Sequence, residues 1–584
     1  MDMAMRTRHL LAAGVILAGC ATQGDEGAGA SFSLVFAAIQ DCTATPNGSG
    51  QVPANVDRLV LKWANGEGKT GSDTIQRGSV TKGNWLVKLP ATTQLDIDVY
   101  GCDKDKKVVW RGRSTGLQIE LAKDTKARIF LSPIAALTGG QLACAGGATG
   151  NGSLQSGRSL AGGAVLASGD VAIVGGIKDW TGSKQIGGAT TAVDVFDDRL
   201  GTFRKGPDLA AARIQPHVHA VGPTQVLVIG GISNVVGKVA GEVLPIRLMA
   251  PADLTAAIPS VKAELLDISA DSGKTLASKA DVGVGALPYS SSIHLGTDLL
   301  FAGGLELPAG ATQAQGVAKA TRLGNLDDVR GGGPGASKTF DLKAARIRPG
   351  ILKFGDGTAL LWGGNPSRKV EDIGEIIGPG ATTSDKLTVT GDAAILGNAF
   401  LATIGPAAVT LAQTDDTLTF LVLGGVPIET PVKAVDAPSY VVIVTKSAKT
   451  AEIKAVALSA GTLHAGLGTT AVQLPGKQVL IAGGLVNLQA VPGLCDSGAE
   501  CILSSWLVLQ PPVSTSDAVV TLQVVASGQL AAPRFGMTGL PLPAAALLAG
   551  GQSSVVTDDT DAVLDTSGRI VTVAPDDQAG ICGP

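Results

Sequence analysis

With 584 residues the chain is long enough for a large core or several domains. Its 79 glycines, 45% apolar content and 16% charged content suit β-structure with many tight turns, and recurring apolar runs of strand length argue against a disordered chain. A net charge of −4 with no basic stripe excludes a nucleic-acid partner, and 3% aromatic residues leave few stacking platforms for sugars or bases.

The N-terminus, "MRTRHLLAAGVILAGC", has a basic start at Arg6 and Arg8 and an apolar stretch over 10–18, too short to span a bilayer, which needs about 18–20 residues. It reads as an export signal over 1–19. Its end, "LAGC", resembles a bacterial lipobox, which implies cleavage before Cys20 and acylation of that residue. Ala at position 21, where a retention signal would carry Asp, directs the expected anchor to the outer membrane, on its periplasmic or cell-surface face. Residues 20–31 then form a lipidated tether.

Residues 32–133 contain about seven short β-rich runs, among them "DRLVLKW", "NWLVKLP", "QLDIDVYGC" and "KARIFLSP", separated by turn residues. They predict a small antiparallel sandwich. Alternation in "LDIDV" puts Leu95, Ile97 and Val99 on one face and Asp96 and Asp98 on the other. This unit resembles the immunoglobulin-like or transthyretin-like modules of secreted bacterial proteins. A Gly-rich stretch, 134–157, reads as a linker.

From Arg158 a repeat begins. Seven apolar runs each end on a double glycine: "VAIVGG", "VLVIGG", "LLFAGG", "ALLWGG", "FLVLGG", "VLIAGG" and "ALLAGG", 55 to 73 residues apart. A repeating unit with variable insertions marks a repeat architecture, and four short strands per unit without helical periodicity predict a seven-bladed β-propeller over 158–575. The second strand of each unit is an unbroken apolar run, expected to be buried on both faces. The double glycine is expected at the sharp turn where that strand leaves its sheet. The double glycine and third strands such as "AELLD" resemble the kelch repeat. The fold expected is therefore all-β: a kelch-like propeller preceded by a sandwich, with a C-terminal tail over 576–584.

Arg158, Arg213 and Arg346 stand 17 residues before the first glycine of their pair, and Arg534 stands 16 before. By the kelch resemblance the first strand of each blade lines the central channel. These arginines, with His217, His219 and Arg348, are therefore candidates for binding an oxyanion at its mouth, because a guanidinium is a planar fork that fits carboxylate, sulfate or phosphate. The competing expectation is that each Arg caps backbone carbonyls or pairs with a neighbouring acid between blades.

With Cys20 lipidated, six cysteines remain in an oxidising compartment, without CxxC or metal-ligand spacing. Organisation along the chain suggests Cys42 with Cys102 inside the sandwich, Cys495 with Cys501 in one insertion, and Cys144 with Cys582 stapling the ring ends. Seven complete units leave no spare strand in the linker for closure by strand exchange. No GxSxG, HExxH or Walker pattern is present. A copper radical oxidase on a kelch propeller would use Tyr with a cross-linked Cys, and neither Tyr289 nor Tyr440 has a spare Cys under this pairing. Asp pairs at 197/198, 327/328, 415/416 and 558/559 are expected in solvated turns, since calcium loops space their ligands with Gly. No cofactor and no metal are expected. The reading is a non-enzymatic, lipid-anchored envelope protein offering loops at 232–260, 305–336 and 485–502 to a protein or glycan. The alternative binds or processes a small anionic ligand at an Arg-lined channel mouth.

Overall fold

The structure, a computed structural model, describes residues 28–36, 52–80, 84–89, 92–119, 125–139, 153–178, 188–233, 262–269, 274–279, 287–306, 308–311, 315–396, 403, 405–425, 439–486, 501–512, 514–530, 532–553, 568–572 and 578–582. The fold is all-β. Among the described residues, no helix is long and apolar enough to cross a membrane.

The N-terminal unit is one hydrogen-bonded path of seven strands in the order Thr70–Gln76, Arg58–Asn65, Thr92–Cys102, Val108–Ile119, Thr125–Pro133, Ala28–Phe36 and Asn84–Leu89. Its pairs are antiparallel except that of Ala28–Phe36 with Thr125–Pro133, which is parallel. Leu95, Ile97 and Val99 are buried as the alternation requires, and join Leu59, Leu61, Trp85, Val87 and Trp110 in one core. The first strand begins at Ala28, so the expected tether over 20–31 is partly strand. Thr70–Gln76 escapes sequence patterning because it is polar and its burial never rises above intermediate. The runs "KVVWRGRSTG" and "LQIELA", which read as two strands from their sequence, are one strand, Val108–Ile119.

Further strands follow in mainly antiparallel groups, called sheets one to seven here in chain order; sheets five and six are two halves of a single nine-stranded sheet, and Leu485–Val486 with Cys501–Ile502 forms a separate two-stranded ribbon. Sheet one comprises Gly162–Val165, Val171–Val174, Val193–Asp197 and Thr202–Lys205. Sheet two comprises His217–Ala220, Gln225–Ile229, Ala263–Asp267 and Lys274–Lys279. Sheet three has Ser291–Leu295, Asp298–Ala302, Gln315–Gly324 and Ala336–Arg346, and sheet four Gly350–Lys353, Ala359–Trp362, Gly374–Ile377 and Asp385–Lys386. Sheet five has Ala407–Gln413, Thr417–Leu423, Tyr440–Thr445 and Thr450–Leu458. Sheet six has Thr470–Gln473, Val479–Ala482, Ser505–Gln510 and Val519–Gln529, and its last strand also pairs in parallel with the last strand of sheet five. Sheet seven takes Thr538–Pro541, Ala545–Ala549 and Gly568–Thr572 from the C-terminal end.

The first strands of successive sheets are neighbours, and the last of them, Thr538–Pro541, lies beside the first, Gly162–Val165. Second strands such as Val171–Val174, Ala359–Trp362 and Ala545–Ala549 are buried at every residue. That is why they are unbroken apolar runs and do not alternate. The glycine that ends each one has a steric cause. Gly175 and Gly550 have φ of 64° and 65°, and a Cβ on either would sit 2.3 Å from the carbonyl oxygen of Arg213 or Arg158 in the next sheet.

Closure differs from the expected staple. The fourth strand of sheet seven is Leu137–Gly139, inside the stretch expected to be linker, which pairs antiparallel with Gly568–Thr572. Segments about 430 residues apart in sequence thus complete one sheet. The run "RIVTVAP", expected to be the fourth strand of this unit, supplies its third.

The disulfide expectations are corrected too. Cys102 of the N-terminal unit bonds to Cys582, with Cα atoms 5.9 Å apart, so neither Cys42–Cys102 nor Cys144–Cys582 forms. Cys42 and Cys144 lie outside the described residues. Cys501 is disulfide-bonded, and Cys495 lies outside the described residues. The expected tail contains a helix, Gln578–Cys582, whose Ile581 and Cys582 pack with Val60, Tyr100 and Val108 of the N-terminal unit. That unit shares its core with Val171, Phe196, Leu547 and Ile570 of sheets one and seven. It is docked on the sheets through a continuous apolar contact.

Candidate functional site

The four periodic arginines do not line a channel mouth. Arg158, Arg213, Arg346 and Arg534 are at most 1% exposed. Arg213 Nη2 and Nε donate to Glu264 at 3.0 and 3.3 Å, and its Nη1 donates to the Gly230 carbonyl at 2.6 Å. Arg346 repeats the arrangement with Glu375 (2.7 and 3.1 Å) and the Gly363 carbonyl (2.6 Å). Arg158 pairs with Asp194. The acids stand on third strands, in "VDVF", "AELLD" and "GEII", so each pair ties the entering segment to its own sheet.

The arginine backbone ties the next contact. Gly176, Gly304, Gly484 and Gly551 donate to the carbonyls of Arg213, Arg346, Arg534 and Arg158, at 2.7 to 2.8 Å. The bonds to Arg213, Arg534 and Arg158 join one sheet to its successor, the last of them joining sheet seven to sheet one, and the bond to Arg346 holds the point where the last strand of sheet three leads into sheet four. These four residues are clasps between sheets, which corrects their assignment as ligand candidates. The spacing of 17 that singled them out is the distance from clasp to glycine pair.

Two residues after each clasp lies a different set. Leu160, Gln215 and Arg348 have left-handed backbones, with φ of 54°, 51° and 45°, and so do Tyr289 at 59° and Gly405, Gly468 and Gly536 at 62°, 67° and 66°. Each precedes the first strand of one sheet, giving seven equivalent positions. Their backbones hydrogen-bond around the ring: Gly536 N to Gly468 O, Leu160 N to Gly536 O, Gln215 N to Leu160 O, Arg348 N to Tyr289 O, and Gly405 N to Arg348 O, at 2.6 to 3.1 Å. Left-handed backbone costs a non-glycine residue about 1–2 kcal/mol. Such strain collects at functional sites, where surrounding structure holds it.

Six of these seven positions border one cavity of about 330 Å³, with Ser290, Ser292, His217, Thr469 and Met537 completing much of its wall. This volume suits a small molecule. The wall is uneven. Sheets two to four contribute Gln215, Tyr289 and Arg348, while sheets six and seven contribute Gly468 and Gly536, where the missing side chains leave room.

Among the described residues of that wall Arg348 is the charged one, and none is Asp, Glu or Lys. The Gln215 amide oxygen accepts from both of its Nη atoms, at 2.8 and 3.2 Å, in the amide orientation that satisfies both groups. Burial works against its charge and the neighbouring Tyr289 phenol supports it. Burial raises the Tyr289 pKa, so the phenol stays protonated at neutral pH. An arginine held by neutral groups keeps an uncompensated positive charge, which favours an anion.

Beside it runs a relay of neutral groups. The Ser290 hydroxyl donates to the Leu287 carbonyl at 2.8 Å, so His217 Nε2, 2.8 Å from Ser290 Oγ, carries the proton of that bond. His217 Nδ1 then accepts from Ser292 Oγ at 2.9 Å, and Ser292 Oγ accepts from His219 Nε2 at 2.9 Å. Burial, aided by Arg348, pushes the His217 pKa down to about 4; burial, aided by His217 and His294, pushes that of His219 to about 3. Both imidazoles are neutral at pH 7. In this arrangement Ser290 has no base beside it, and the relay presents fixed hydrogen-bonding groups to the cavity.

Of the sequence candidates, the structure thus brings Arg348 and His217 to the cavity wall, with His219 behind them. Gln215, Tyr289, Ser290, Ser292 and Thr469 were missed. The usable signal was positional, the residue two places after each clasp arginine, as in "RIQP" and "RIRP".

No family model and no curated protein matches the sequence. Among solved structures, one titled "Structure of YjhT" is similar over 60% of this chain and 93% of its own, at 13% identity and a TM-score of 0.37.

Proposed function

We propose that the chain is a kelch-like propeller whose seven sheets are its blades, and that it binds a small anion, of carboxylate type, in the central cavity with Arg348 as anchor. The single observation behind this reading is an arginine in strained left-handed backbone, facing a cavity with no acid among its described residues and partnered there by an amide. The neighbour order of the first strands supports the blade assignment. His217, Ser290 and Ser292 would orient the rest of the ligand, and Gly468 and Gly536 would leave space for it.

The scaffold reading, a loop face for an envelope protein or glycan, is less well supported. Of its three insertions, 305–336 largely consists of strand Gln315–Gly324 and helix Leu326–Arg330, and 232–260 and 485–502 lie mostly outside the described residues. Outer-membrane anchoring through Cys20 remains part of the proposal, carried by Arg6, Arg8 and "LAGC"; residues 1–20 lie outside the described residues.

Titration calorimetry against small carboxylates, phosphates and sulfates, with neutral analogues as controls, tests the binding claim. Arg348→Ala should weaken the anion that binds by about 10- to 100-fold, as loss of a charged hydrogen-bond partner costs about 1.5–3 kcal/mol. Equal affinity in wild type and Arg348→Ala, or preference for the neutral analogue, would overturn it.

A further inference from the structure

The Asp197–Asp198 pair was expected to be a solvated turn. Asp198 is instead only 7% exposed. The other described pairs stay at the surface: Asp327 and Asp415 are exposed, and Asp328 and Asp416 half-buried. Asp198 has a third acid beside it. Asp170, just before the second strand of sheet one, Asp197, at the end of the third, and Asp198 each place a carboxylate oxygen within 4.8 Å of one from the others.

Three acids at that distance repel one another unless something intervenes. Asp197 Oδ1 is committed to the backbone N–H groups of Arg199 and Leu200, at 3.0 and 3.1 Å. Two guanidinium groups are near: Arg199 Nε lies 3.8 Å from Asp197 Oδ1, and Arg204 Nη2 lies 3.9 Å from Asp170 Oδ2. Neither is within ion-pair distance of Asp198, and the charge of Arg199 offsets only part of what raises its carboxyl. Among the described residues, the buried Oδ1 atoms of Asp170 and Asp198 have no hydrogen-bond partner, although a buried polar atom without one costs about 1–3 kcal/mol, and a charged one more. Burial, with Asp170 and Asp197 adding to it, pushes the Asp198 carboxyl up to about 7.

We infer that Asp170, Asp197 and Asp198 bind a divalent cation of the calcium type. The donors are all carboxylate oxygen, without His or Cys, which suits a hard cation. The three oxygens lie within 4.8 Å of one another, no further apart than about twice the calcium–oxygen distance of roughly 2.4 Å, so one ion can reach all of them. A cation there would give both orphaned oxygens a partner and remove the repulsion. The same turn carries Gly201, where an added Cβ would sit 2.3 Å from the Phe130 ring of the N-terminal unit. An ion would therefore stiffen the seam between that unit and sheet one.

The test uses the full chain, stripped with chelator and dialysed, in thermal unfolding near pH 7.5 with calcium or magnesium chloride up to about 10 mM. Calcium should raise Tm saturably, with a half-effect at about 10⁻⁴–10⁻³ M as in extracellular modules. The near-isosteric Asp198→Asn should lose that rise while melting no lower than stripped wild type, and Asp170→Asn should weaken it at least tenfold. No calcium-dependent shift in wild type, or a shift retained in Asp198→Asn, would overturn the site. A response to magnesium alone would overturn the calcium assignment.

Discussion

Replacing Arg346 by Ala tests the clasp most directly. Arg346 makes five hydrogen bonds: two to Glu375, and one each to the carbonyls of Gly363, Ile373 and Asp372. Without it, the carbonyls of Gly363 and Ile373 lose a charged donor, and Glu375 remains buried at 0% exposure. That carboxylate keeps three donors, Lys343 N, Ala344 N and Ser384 Oγ, which places the loss at the lower end of the range for breaking a buried pair, about 3–5 kcal/mol. If the seven sheets melt as one unit, about 2 cal/mol/K per residue of unfolding entropy turns 3–4 kcal/mol into a fall in Tm of roughly 3–5 °C. The Arg346→Met/Glu375→Leu pair should recover much of that loss, because an apolar pair strands no charge. Arg348→Ala, two residues away, should shift Tm by less than a third as much while weakening anion binding. Scanning calorimetry and urea unfolding measure both. Arg346→Ala melting no earlier than Arg348→Ala would refute the clasp.

Non-reducing peptide mapping should join the Cys102 and Cys582 peptides. Cys582→Ser should destabilise by at most about 6 kcal/mol, the chain-entropy value for a separation of 480 residues; mapping that finds Cys582 joined to Cys144 would sink the assignment. Thr138→Pro should speed amide exchange across Gly568–Thr572, since Thr138 pairs with Ile570 and proline cannot donate; unchanged exchange there would argue against closure by the N-terminal strand. The pKa values of His217 and His219 lie below the unfolded value, so the unfolded chain binds more protons as pH falls from about 6.5 to 4. Stability present above pH 6.5 is lost across that window. His219→Gln should flatten the fall of Tm with pH, and an unchanged slope would contradict the neutral relay.

The second strands and their glycine pairs were legible because one cause acts seven times. Burial on both faces demands apolar side chains throughout, and the close carbonyl of the next segment excludes a Cβ. The cavity was not legible in the same way. A left-handed backbone is readable at Gly405, Gly468 and Gly536, where glycine marks it, but Leu160, Gln215, Tyr289 and Arg348 adopt it only under pressure from the ring. Ring closure failed for a related reason. Leu137–Gly139 is three residues long inside a Gly-rich stretch, and only the open edge of sheet seven makes it a strand. Likewise Cys102 and Cys582 meet because a terminal helix docks on the N-terminal unit, which no local spacing encodes.

The clasp and the cavity are also one device. In "RIQP" and "RIRP" the arginine fixes the entering segment to its own acid and to the preceding sheet, so the residue two places on is held where an unconstrained chain would not keep it. Rigidity at Arg213 and Arg346 helps hold the left-handed backbone at Gln215 and Arg348, whose side chains border the cavity. The residues carrying the strongest periodic signal therefore do no binding themselves. They determine which neighbours can, and a variant such as Arg346→Ala that still folds should lose anion affinity through the displaced Arg348, with Arg213→Ala acting through Gln215. Wild-type affinity in folded Arg346→Ala would show that the cavity is held independently of its clasps.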